Sequence, residues 1–153
     1  MSFPELINRP EISSNNRLEK SYLNFKSLID ELETKSLTEN CRKVVEDEIY
    51  LLNNTVDSKL LSQIRKSTLK ITRIVEKESK LVPKGYYRMF WTSLGMSAFG
   101  IPIGVAFGAA LKNMGLIGVG LPIGLGIGIA YGSSIDKKAA REGRQLNWEI
   151  GKS

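Results

Sequence analysis

Histidine is absent from this chain and cysteine occurs once, at position 41. The two absences exclude a Ser–His or Cys–His nucleophilic pair, a zinc site built on His or paired Cys, and an internal disulfide framework. The lone Cys41 fits a reducing compartment and, in the helical-looking stretch TENCRKVVEDE, reads as a small, partly buried hydrophobe. Glycine is missing from the first 84 residues and then occurs fourteen times. Charge is missing from residues 89–111 and again from 113–135, two runs of 23 residues separated only by Lys112. Residues 1–83 carry 14 Lys/Arg against 13 Asp/Glu, whereas the remainder carries 8 against 3, so nearly all of the net charge of +6 belongs to the second half.

The glycine-rich stretch GLPIGLGIGIAYG, residues 120–132, invites a nucleotide-loop reading that its context rejects. It lacks the GxGxxG spacing, no strand precedes it, and no Lys-Ser or Lys-Thr pair closes it. Gly151-Lys152-Ser153 likewise lacks the upstream glycine of a phosphate loop. No catalytic, cofactor-binding or metal-ligating residue is therefore expected, nor a small-molecule substrate.

The polar half has the pattern of amphipathic helices. Residues 1–15, broken by Pro4 and Pro10, read as a flexible lead. They hold no apolar core of signal-peptide length and no small-residue cleavage site, so the N-terminus is expected to stay in the cytoplasm. Asn16 and Glu19 resemble a capping box, after which Leu18, Tyr22, Phe25, Ile29 and Leu32 form one apolar seam. Thr38 is the expected cap of a second helix reaching about Leu52, and NNTVD marks the next turn. A third helix carries Leu60, Ile64, Ser67, Ile71 and Ile74 along one face, widened by Leu61, Thr68 and Val75. Three such helices over residues 16–83 predict an antiparallel bundle, or an extended arm. Their apolar faces serve a small core, a coiled-coil surface, or the docking of a cytoplasmic protein partner. Lys66, Lys70, Arg73 and Lys77 make a basic row, but acidic neighbours such as Glu46, Asp47, Glu48, Glu76 and Glu78 balance it, so nucleic acid is not an expected partner.

The two uncharged runs predict a transmembrane hairpin over residues 84–136, with spans of about 89–111 and 114–135. At about 1.5 Å of rise per residue, 23 residues cross a hydrocarbon core of about 30 Å. The polar half is too small to bury both runs. Tyr86, Tyr87, Phe90 and Trp91 open the first span and Tyr131 lies near the end of the second, matching the interfacial preference of aromatic rings. Arg88 with Lys84 before the hairpin, and Lys137 and Lys138 with Arg141 and Arg144 after it, outweigh Lys112 in the turn. By the positive-inside rule both termini are cytoplasmic, and residues 137–153 form a basic cytoplasmic tail. The expected fold class is thus all-α, a cytoplasmic amphipathic bundle or arm followed by a two-helix membrane hairpin.

An internal repeat runs through the hairpin. GIPIGVAFG (100–108) and GLPIGLGIG (120–128) align twenty residues apart, so Gly95, Gly100, Gly104 and Gly108 correspond to Gly115, Gly120, Gly124 and Gly128. Gly100, Gly104 and Gly108, and Gly120, Gly124, Gly128 and Gly132, form strips without side chains, which in lipid are packing surfaces. Pro102 and Pro122 each remove a backbone donor, and paired mild kinks are expected. Two strips plus Gly118 and Gly126 exceed one intrachain contact, which favours a homo-oligomer, although the strips can face one another within a chain or between chains.

The proline-bearing GxxxGxxxG pair followed by GSSIDKKAAREGRQL resembles the small bacterial glycine-zipper family proteins, over roughly residues 95–146. The resemblance implies a bacterial inner-membrane protein and brings no established activity. Neither span holds the carboxylate that an ion carrier of the rotary-ATPase proteolipid kind requires. Two functions fit this pattern. One is a structural or scaffold membrane protein that self-assembles through glycine zippers and presents a cytoplasmic helical region; the other is a pore-forming or membrane-disrupting effector. Thr92, Ser93, Ser97, Ser133 and Ser134 are the few polar side chains available to line a path.

Overall fold

Apolar residues spaced three and four apart wind three helices: α1 (Asn16–Glu33), α2 (Glu39–Asn53) and α3 (Asp57–Ser79). The computed structural model describes residues 2–150, and Met1 and residues 151–153, including the Gly151-Lys152-Ser153 stretch, lie outside the described residues. Two units divide the chain. One runs to Pro83 and resumes at Leu146; the other is Lys84–Gln145. Among the described residues, apart from a two-stranded ribbon of β1 (Val82–Lys84) and β2 (Gln145–Glu149), the secondary structure is helical.

In the first unit the expected seam is buried at every position: Leu18, Tyr22, Phe25, Ile29 and Leu32, joined by Leu28. From α2 come Cys41, Val45, Ile49 and Leu52; from α3 come Leu60, Ile64, Ile71 and Val75. The α3 stripe ends on Val75, with Ile74 only half-buried at its margin. Helix starts differ in detail. Asn15, not Asn16, caps α1, its side chain accepting from the Leu18 N–H at 3.2 Å. Thr38 caps α2 as its sequence position predicts, Oγ1 accepting from the Cys41 N–H.

Both ends of this unit depart from the expected loose lead and tail. The N-terminal segment is tied down at several points: Phe3 and Ile12 are buried, the Phe3 N–H donates to Glu33, and the Tyr22 hydroxyl donates to the Ile7 carbonyl at 2.6 Å. Burial pushes the Tyr22 hydroxyl above its ordinary pKa, with Arg9 opposing. Arg9 pairs with Asp57 and donates to the carbonyls of Leu52 and Asn53, the last of α2. Carbonyls of a last helical turn lack intrahelical partners, and the guanidinium adds to the Thr55 N–H that already reaches the Leu52 oxygen. Nor is the segment after residue 136 a tail. Residues up to Arg141 complete the last helix, and β2 inserts Leu146 and Trp148 into the bundle core, where the Trp148 indole donates to the Asn24 carbonyl at 2.9 Å.

Polar groups inside the bundle are paired. Glu48 is 3% exposed and accepts from the Ser67 hydroxyl at 2.6 Å and from Lys70, which raises the lysine's pKa. One member of the basic row is thereby tied to the core. Cys41 is fully buried rather than half-buried, with Sγ 3.5 Å from the Ile74 carbonyl oxygen and 3.6 Å from Glu78.

Candidate functional site in the apolar hairpin

The second unit begins at Gly85, whose φ of 72° is left-handed backbone that glycine adopts without strain. It releases α4 (Tyr86–Gly95), a five-residue π turn (Met96–Gly100) and α5 (Ile101–Ala110), which run on as one helix of 25 residues. The chain reverses through Lys112, at φ 50°, and Asn113, whose side chain accepts from the Gly115 N–H at 3.0 Å. A short 3-10 turn then leads into α6 (Ile117–Arg141). Both helical runs are long and apolar enough to cross a membrane.

Glycine backbone makes the contact between the two runs. A Cβ built on Gly124 would lie 2.5 Å from the Gly95 carbonyl oxygen and 2.6 Å from the Gly100 nitrogen. On Gly120 it would collide with the backbone of Gly100 and Gly104; on Gly104, with the Ile117 carbonyl; on Gly128, with Trp91 and Thr92; on Gly132, with Arg88. Gly100 sits against Gly120 and Leu121, and Gly108 touches the Ile117 side chain more loosely. All seven predicted packing glycines therefore line one intrachain seam, and all seven are buried. Gly118 and Gly126 have nothing within 4 Å of a built Cβ and lie outside it.

Gly95 belongs to the seam as well, although its spacing hides it. Five residues separate it from Gly100, one more than the interval that keeps residues on one helix face. The π turn between them absorbs the extra residue, so Gly95 returns to the seam opposite Gly124 and Gly128. Its counterpart in the repeat, Gly115, meets only the Asn113 side chain. The two prolines are also treated unequally. Pro102 follows the π turn, where the Ile101 N–H reaches back to the Met96 carbonyl, whereas Pro122 lies inside the continuous α6 helix.

A carboxylate closes the basic end. Asp136 of α6 is 8% exposed and accepts from the backbone N–H groups of Tyr87 and Arg88 at 3.1 and 2.9 Å. The first N–H groups of a helix have no internal partner and carry partial positive charge. Gly85 offers no side chain to cap them, and Asp136 does so from the opposite helix. The predicted anchors gather nearby: Trp91 and Tyr131 meet edge to face with ring centres 4.4 Å apart, and Tyr86 and Tyr87 at 5.4 Å. Arg88 stands beside Gly85, and Lys137 and Lys138 are exposed on the last turns of α6.

Large apolar side chains point the other way. Phe99, Ile101, Val105, Phe107, Ile123 and Ile127 are each between 40% and 52% exposed. The hydroxyls of Thr92, Ser93 and Ser97 donate to backbone carbonyls one turn earlier, so the helix satisfies its own polar side chains. No family model, curated protein or solved structure matches this chain.

Proposed function

We propose that this protein is an integral membrane protein of the bacterial inner membrane, a structural or scaffold component anchored by a glycine-zipper hairpin. Its helical bundle is the part offered to partners in the cytoplasm. One observation carries the reading. The hairpin buries the glycines of its seam and exposes large apolar side chains around both helices, a distribution that is costly in water and favourable in lipid. The basic residues Lys84, Arg88, Lys137, Lys138, Arg141 and Arg144 at one end, against Lys112 at the other, favour cytoplasmic termini.

Self-assembly into a homo-oligomer remains part of this proposal, but it draws on a different surface. Within one chain the glycine strips occupy each other, so copies would meet through outward residues, where Gly118 and Gly126 lie. A pore-forming effector finds less support, because the hydroxyls on the first helix bond to their own backbone. Alkaline carbonate washing of membranes from expressing cells tests the anchor. The protein is expected to stay in the pellet, and release into the supernatant would overturn the membrane reading.

A further inference from the structure

The face of α6 turned away from the seam carries donors of which only Lys138 meets an acidic group of the protein. Ala130, Ser133, Ser134, Lys137, Lys138 and Arg141 line an open groove of about 650 Å³. At 100° per residue, Gly128, Gly132, Asp136 and Ala139 share the opposite side of the helix, against α4. Among the described residues Lys137 and Arg141 have no acidic partner, and the Ser133 and Ser134 hydroxyls make no bond to protein, unlike Thr92, Ser93 and Ser97. Lys138 reaches Glu142 only at 4.0 Å, and Glu142 is shared with Arg144. Asp136, the other nearby carboxylate, is committed to the Tyr87 and Arg88 N–H groups. The groove therefore collects three cations and two hydroxyls, answered only by the 4.0 Å reach of Lys138 to Glu142.

We infer that this groove binds the phosphate of an anionic lipid headgroup, with Lys137 and Arg141 holding the charge, Ser133 and Ser134 donating from below, and Ala130 leaving room for the first methylenes of the lipid. The inference rests on the membrane reading above, and the depth of the groove suits it. Lys137 lies six residues beyond Tyr131, or about 9 Å along the helix. Headgroup regions add roughly 5–8 Å to each side of the hydrocarbon core, so an interfacial Tyr131 sets the cations at phosphate level. A free phosphate shares the chemistry but makes no use of the apolar floor.

The test uses the full chain. Flotation with phosphatidylcholine vesicles comes first, and failure to float would overturn the membrane reading itself. The floated protein is then placed in phosphatidylcholine nanodiscs with a minority of phosphatidylglycerol, and the lipids retained on the ejected protein are counted by native mass spectrometry. Wild type is expected to retain phosphatidylglycerol preferentially. The double variant Lys137→Gln/Arg141→Gln is expected to lose that preference roughly tenfold, while Lys112→Gln at the other end of the hairpin keeps it. Insertion without preference, or an equal loss in Lys112→Gln, would overturn the inference and leave the anchor standing. Displacement of phosphatidylglycerol by excess inorganic phosphate would overturn the lipid assignment in favour of the free ion.

Discussion

The two units solve opposite packing problems. The bundle hides Phe25, Leu28, Leu32, Ile49 and Leu60 and, Glu48 apart, keeps its charged side chains toward the surface, which is how water drives a helix to pack. The hairpin hides glycines and presents phenylalanine, isoleucine and leucine to its surroundings. In the bundle cohesion comes from side-chain area withdrawn from solvent. In the hairpin it comes from backbones close enough to touch, the contact that remains when the solvent is itself apolar. The same mutation should therefore have very unequal consequences in the two places.

The largest effect separates them most directly. Phe25 is 1% exposed, and Phe25→Ala should cost the bundle about 3–5 kcal/mol. Phe107 is 47% exposed, and Phe107→Ala should change folding by less than about 0.5 kcal/mol. In micelles, denaturant titration of Trp148 fluorescence in a Trp91→Phe background reads the bundle, and Trp91, packed on Tyr131, reads the hairpin in a Trp148→Phe background. An equally damaging Phe107→Ala would mean that the hairpin also depends on buried side chains.

A smaller effect reverses the sign of the usual helix rule. Adding a methyl group to a helical glycine normally helps, and Gly126→Ala, with nothing within 4 Å, should be neutral or stabilising by up to about 1 kcal/mol. Gly124→Ala places its methyl against the backbone of Gly95 and Gly100, which cannot move aside as a side chain would, and should cost about 1–3 kcal/mol. Dodecyl sulfate titration followed by helical circular dichroism ranks the pair. Equal behaviour would remove the close-packed seam from the account.

That difference in cohesion also explains what the sequence made legible. Periodic seams report residues that share one helix face, so Leu18 to Leu32 and the glycine strips were readable without coordinates. Phe3, Ile12 and Trp148 were not, because each is an isolated apolar residue whose partners lie on distant segments. Asp136 looked like the end of a span. Its bonds to Tyr87 and Arg88 join positions 49 and 48 residues apart, and no local pattern records such a cap. Gly95 was visible in the repeat but stood off the four-residue interval until the π turn returned it to the seam. The caps at Asn15 and Asn16 differ by one place because neighbouring asparagines are chemically equivalent candidates.

The smallest effect is electrostatic and belongs to the bundle alone. Glu78 accepts from the Thr38 hydroxyl at 2.7 Å and from the Asn40 amide, and these bonds hold its carboxyl below the ordinary value of 4.5. A carboxylate whose folded pKa is depressed binds protons more readily in the unfolded chain. Its contribution is therefore complete above about pH 4.5 and is lost as pH falls through the lower, folded value. Trp148 fluorescence in the same Trp91→Phe background should show bundle stability declining below that point. Glu78→Gln should be less stable at neutral pH and show a shallower decline in acid, because glutamine has no proton to gain. The hairpin's Trp91 fluorescence transition in a Trp148→Phe background should not respond to this substitution, since Glu78 bonds only within the bundle. An unaltered acid slope in Glu78→Gln would assign the bundle's acid sensitivity to other carboxylates.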